Sequence, residues 1–170
     1  MAARVRGDLM LKTTLGAALA AAFLLAGPAA AGPLPSGGAT VQEIAKVLLD
    51  KGYKAEIGKD SQGDTMISSG SEGANFRIFF YGCKVGRCNS IQFSAAFDLT
   101  NGMTATQIND WNVKRRFGRA FLDKEMDPFV QMDLDLEHGS STESVANNLA
   151  TWVLVLRQFR AYIADPSKGA

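Results

Sequence analysis

Apolar residues recur along this chain at two periods, and the changes between them mark out the elements. Behind Thr40 and Glu43, a capping-box pair, Val41, Ile44, Ala45, Val47 and Leu48 recur at helical spacing and predict a first helix that stops near Gly52. From Tyr53 the period falls to two. Tyr53, Ala55 and Ile57 alternate with Lys54 and Glu56, residues 59–63 supply a turn, and residues 65–69 read as a second strand. Phe76, Ile78, Phe79, Phe80 and Tyr81 mark a third strand over residues 75–81. Ile91, Phe93, Ala95 and Phe97, alternating with Gln92, Ser94 and Ala96, mark a fourth. Aromatic residues on both faces of the third strand place this antiparallel pair at the sheet centre, with residues 53–57 at the edge.

Thr104 and Gln107 repeat the capping-box pattern and open a helix with Ile108 and Trp111 on one side. It must end near Arg116, because Phe117, Arg119, Phe121 and Asp123 then alternate with Gly118, Ala120 and Leu122. After turn residues 124–128, Val130, Met132, Leu134 and Leu136 alternate with Gln131, Asp133, Asp135 and Glu137, which predicts a hairpin with one buried and one polar face. Residues 139–143 open a last helix running to about Ala164, with Val145, Leu149, Trp152, Val153, Leu156, Phe159 and Ile163 on one stripe suited to lie across a sheet. The predicted order is α-β-β-β-β-α-β-β-α, an α+β single domain over residues 40–164 with helices packed on a twisted antiparallel sheet. Residues 32–39, rich in Gly and Pro, read as a flexible leader without helix or ladder, and residues 165–170 as a tail expected to fray.

The first 31 residues call for a separate reading. Arg4, Arg6 and Lys12 precede an uncharged apolar run from Leu15 to Ala26, then Gly27-Pro28 and the small residues Ala29-Ala30-Ala31. This is the layout of a signal peptide, with cleavage expected after Ala31 and a periplasmic or secreted product. The run is about a dozen residues, short of the roughly 20 that span hydrocarbon, so no membrane insertion is expected after cleavage. Removing the segment takes the 18 basic and 17 acidic residues to 15 and 16, without the basic excess of a nucleic-acid binder.

Both cysteines, Cys83 and Cys88, fall in the remaining part with four residues between them. In an oxidising compartment they are expected to form a disulfide that clamps the connection between the two central strands. Zinc would need further ligands, and the chain has a single His. A redox-active pair would want the two-residue spacing of thioredoxin-like motifs.

Other polar clusters have structural readings beside their chemical ones. Asp133, Asp135 and Glu137 share a strand face, yet calcium wants six to eight oxygens from a wrapping loop, so a solvated face partly neutralised by Arg119 is expected. Lys114, Arg115, Arg116 and Arg119 could take an anion, but consecutive helical positions lie about 100° apart and cannot all face one ligand. Asn109, Trp111 and Asn112 could contact a ligand or tie a helix end to a neighbouring strand, with the indole buried and its ring nitrogen bonded. His138 beside Ser140 and Ser141 lacks an assembled base and nucleophile, and the serines read as helix caps. No metal or cofactor is expected.

Several local words occur together in a characteristic order: Gly52-Tyr53, Cys83 with Cys88, Ser90-Ile91-Gln92-Phe93, Ile108-Asn109-Asp110-Trp111-Asn112, and Arg116-Phe117-Gly118-Arg119-Ala120-Phe121-Leu122-Asp123. In these the chain resembles the YbjN-like family of bacterial sensory transduction regulators. The resemblance implies a fold similar to type III secretion chaperones, which act as dimers that bind extended protein segments. It implies no catalytic residues. The export signal and the disulfide set this chain apart from cytosolic members. The expectation is a non-enzymatic, exported binding or chaperone-like module that holds a protein partner of the cell envelope. Its binding surface is expected on the sheet face left open by the last helix, with Phe79, Tyr81, Trp111, Arg119 and Phe121 as candidates. The alternative is a structural homodimer or envelope-complex subunit with that face permanently occupied. An enzyme using His138 is a third reading.

Overall fold

Both capping boxes close in the computed structural model, which describes residues 32–168. The Glu43 N–H donates to Thr40 Oγ1 (3.1 Å) and the Thr40 N–H to Glu43 Oε2 (2.8 Å), opening α1 (Val41–Asp50). Thr104 and Gln107 exchange the equivalent bonds at the start of α2 (Ala105–Lys114). The rest of the order is β1 (Pro33–Leu34) ahead of α1, then β2 (Glu56–Lys59), β3 (Thr65–Ser71), β4 (Ala74–Tyr81) and β5 (Ser90–Ala96). After α2 come β6 (Arg119–Leu122), β7 (Pro128–Asp135), β8 (Ser140–Ser141) and α3 (Thr142–Ala164). The expected α+β single domain therefore stands, with two short strands added.

Six strands form one antiparallel sheet in the order β2-β3-β4-β5-β7-β6. The aromatic-rich pair β4 and β5 is central, as both faces of β4 required. β2 begins three residues later than its alternation suggested. The reason is local: the Tyr53 N–H still donates to Leu48 O (2.9 Å), so the chain is held to the end of α1 before it can enter the sheet.

α3 covers one sheet face. Its Trp152 stacks on Phe93 (5.7 Å between ring centroids) and meets Phe76 edge-on (5.8 Å), while Phe159 packs between Phe97 (5.6 Å) and Trp111 (4.8 Å). Buried aromatic pairs in such arrangements each add about 1 kcal/mol beyond the area they bury. The Tyr162 hydroxyl donates to Gln107 O (2.7 Å), fastening α3 to α2, and desolvation raises its pKa.

The leader departs from expectation. Residues 33 and 34 pair with β8, through Pro33 opposite Ser141 and Leu34 opposite Ser140, and Gly37 and Ala39 bridge to Glu137 and Cys88. Prolines are tolerated because the ladder is two residues long and lies outside the main sheet. Gly38 is squeezed against the backbone of Cys88, whose carbonyl oxygen would lie 2.0 Å from any Cβ there. These partners lie 49 to more than 100 residues away in sequence, so local composition could not reveal them.

Cys83 and Cys88 are disulfide-bonded. Inside the ring, Lys84 and Arg87 exchange backbone bonds (2.7 and 3.1 Å) around Val85 and Gly86, at φ 50° and 78°. This is the primed two-residue turn of a hairpin, with a β-branched residue in a conformation it disfavours. Arg87 leaves the turn to donate to Gly38 O (2.6 Å) and Glu43 Oε2 (2.8 Å), joining hairpin, leader and α1. Burial pushes the Glu43 carboxyl up, but the Thr40 N–H and the Arg87 guanidinium outweigh it and hold the group below its usual value of 4.5.

Gly118, at φ 79°, turns the chain out of α2 and into β6, which is why the strand starts at Arg119 rather than Phe117. A Cβ there would lie 2.4 Å from Val155 Cγ1. Gly118→Ala is expected to cost roughly 2–4 kcal/mol by urea denaturation, combining left-handed strain with overpacking. A depressed carboxylate pKa stabilises above the unfolded value and is lost as pH falls through the folded one. Stability should therefore decline with acid below about pH 4.5, and Glu43→Gln should flatten that part of the profile.

Candidate functional site

Strand alternation divides the sheet's side chains cleanly. Ile67, Phe76, Ile78, Ile91, Phe93, Ala95, Val130 and Met132 are buried beneath the helices. The opposite face, over which no helix of the described residues lies, presents Glu56 from β2, Met66 and Ser68 from β3, Arg77, Phe79 and Tyr81 from β4, and Gln92, Ser94 and Ala96 from β5. β7 adds Phe129, Gln131 and Asp133, and β6 adds Arg119 and Phe121.

The register sets these residues in rows across the strands. One row runs Glu56, Ser68, Arg77, Ser94, Gln131, Arg119. Within it Arg119 Nη2 donates to Gln131 Oε1 (2.8 Å), and Gln131 Nε2 to Ser94 Oγ (3.3 Å). The next row runs Met66, Phe79, Gln92, Asp133, where Gln92 Nε2 donates to Asp133 Oδ1 (2.7 Å). Tyr81 OH, one row further on, donates to Gln92 Oε1 (3.4 Å). At the opposite end, Phe121 and Phe129 stack at 5.1 Å, with the Arg119 guanidinium 5.9 Å from the Phe121 ring.

Small side chains on β5 between large ones on β4, β6 and β7 leave a depression of about 330 Å³, bordered by Arg77, Phe79, Ser94, Ala96, Phe121, Phe129 and Gln131. Beyond Phe79 lies a second hollow, of about 250 Å³, lined by Asp60, Asp64, Tyr81 and Gln92 among others. Desolvation raises the Tyr81 pKa, and the charges of Asp133 and Asp60 push it further up, which makes this the acidic end of the face.

Four of the five candidates, Phe79, Tyr81, Arg119 and Phe121, lie on this face. Trp111 does not. It is 1% exposed, packed against Phe159 and Tyr162, and its Nε1 donates to Gly118 O (2.8 Å). Its amphipathic ring resembled a contact residue, but the ring closes the core and the N–H fixes the turn into β6. Asn112 has the other architectural role. Its Nδ2 donates to Ala120 O (3.0 Å) and its Oδ1 accepts the Ala120 N–H (2.8 Å), so one carboxamide takes the place of a neighbouring strand along the outer edge of β6.

The expected pairing of Arg119 with a carboxylate gives way to its pairing with Gln131, the residue directly opposite it in the hairpin. The basic residues do not gather either. Arg115 lies over Trp111, Arg116 over Phe117 and Arg119 over Phe121. The Ser141 hydroxyl accepts the Ser144 N–H as the N-cap of α3, and His138 is exposed in a left-handed turn at φ 63°. Among the described residues no three His, Cys, Asp or Glu side chains are placed to hold a metal ion. Arg77, Gln131 and Phe129 were missing from the sequence-based set. Phe129 fell outside a strand taken to begin at Val130, and only the register brings Gln131 beside Ser94.

One sheet face under the helices, and one that no helix of the described residues covers, define a small α+β domain. The chain belongs to the YbjN family, described as a putative bacterial sensory transduction regulator, whose model matches residues 40–165, from the cap of α1 to just past α3. No curated protein matches the chain. The expected export signal lies outside the described residues. The disulfide is of a kind that persists in oxidising compartments, and among the described residues no helix is long and apolar enough to cross a membrane.

Asn112→Asp keeps an acceptor for the Ala120 N–H but turns a carboxylate oxygen toward Ala120 O. It should cost about 1–3 kcal/mol at neutral pH. Part of that loss should return as pH falls toward about 4, because a carboxylate facing a carbonyl oxygen takes up its proton above the usual value and so regains a donor. Chemical denaturation at both pH values checks this.

Proposed function

We propose that this protein is an exported, non-enzymatic binding module that holds a protein partner against its bare sheet face. The observation that carries the reading is the depression between Phe79 and the Phe121–Phe129 stack. An apolar-walled hollow on an uncovered sheet is what an extended segment fills, its alternate side chains descending between the rows. Tyr81, 48% exposed, extends the same surface toward its acidic end. Membership of a regulator family supports a role in contacts rather than in turnover. The disulfide and the charged-then-apolar N-terminal sequence support export.

A second reading is a structural homodimer closed through the same face. Opposite charges on one face, Arg77 and Arg119 in one row and Asp133 in the next toward the acidic end, favour it, because a two-fold interface must be complementary to itself.

A photoreactive residue placed in turn at Tyr81 and Phe121 should crosslink to the same partner in the cell envelope, whereas one at exposed Leu154 on α3 should not. Tyr81→Ala and Phe121→Ala should each weaken capture at least several-fold, in protein of unchanged circular dichroism. Equal crosslinking from all three positions, or capture untouched by both substitutions, places the contact surface elsewhere.

A further inference from the structure

This face carries two guanidinium groups that form no salt bridge among the described residues; the acid of the same row, Glu56 beyond Ser68, is paired with Lys54 (3.1 Å). Arg77 is exposed on the wall of the depression, and the salt bridges involve other residues. Arg119 gives one Nη2 donor to Gln131, a neutral partner, and rests over the Phe121 ring. Both occupy one row of the sheet, Arg77 on central β4 and Arg119 on the edge strand β6, with Ser94 and Gln131 between them. A guanidinium beside an apolar hollow can take a carboxylate while the rings exclude water from the pair.

From this charge pattern we propose that the depression recognises a carboxylate side chain of an extended partner segment. The carboxylate is bound by Arg77 with Arg119 assisting, and an adjoining apolar or aromatic residue lies against Phe121 and Phe129. The proposal rests on the binding-module reading and adds the chemistry of the partner. The opposite end of the face limits that chemistry. Asp60, Asp64 and Asp133 surround the hollow beyond Phe79, so a segment acidic throughout is repelled there, and an isolated acid followed by neutral or basic residues is favoured.

The test uses the protein with its disulfide intact and three fluorescein-labelled probes: an octapeptide of alternating Thr and Val carrying one central Glu-Thr-Phe, the same peptide with Gln for Glu, and one with Lys for Glu. Fluorescence anisotropy should show the Glu probe binding about tenfold tighter than the Gln probe, with the Lys probe weaker still. The advantage should shrink as salt rises. Arg77→Gln should erase the difference between the Glu and Gln probes without altering the fold, and Arg119→Gln should reduce it. Equal binding of Glu and Gln probes, or an advantage that survives Arg77→Gln, overturns the carboxylate assignment. Crosslinking at Phe121 to an envelope protein would in that case still uphold the binding module. Sedimentation as a dimer that excludes the Glu probe and dissociates in Arg77→Gln would also overturn it, because the face would then be filled by a second copy.

Discussion

A single long helix lies across a sheet six strands wide, and the packing of its aromatic residues organises the molecule. Trp152 is set between Phe76 and Phe93 on the two central strands, and about two turns on Phe159 lies between Phe97 and Trp111. Through Trp111 the stack reaches α2, and through the Trp111 N–H it reaches Gly118, where the chain turns into the edge strand. The same helix can serve only one side of the sheet. The bare face is a direct consequence, as is the concentration there of side chains that the core did not require.

What the sequence disclosed follows from how local the cause was. The capping boxes at Thr40 and Thr104 span four consecutive positions each, and both close as their spacing predicts. The change of period after Arg116 is equally local, and it placed Arg119 and Phe121 together on the outer side of β6. Trp111 was harder to assign, because an indole suits a core and a contact surface alike. What decides between them is a carbonyl seven residues away, oriented by a glycine of positive φ.

The candidate site was legible in part for a related reason. Alternation names which residues share a face, but not which strands lie side by side. Once β7 pairs with β5 on one side and β6 on the other, Gln131 falls between Ser94 and Arg119, and the guanidinium finds an amide instead of the acids two residues along β7. The hollow itself arises from the same adjacency. Serine and alanine on β5 are unremarkable in sequence, and become the floor of a depression only when Phe79, Phe121 and Phe129 rise on either side.

The leader connects the beginning of the described chain to its last third. Its two-residue ladder needs β8, its bridge at Gly37 needs Glu137, and Gly32 exchanges bonds with Thr142. A chain made from its N-terminus onward can pair Ala39 with Cys88 midway, but has nothing for residues 32–34 and 37 to pair with until most of the domain has been synthesised. The earliest residues of the leader reach their final place among the last.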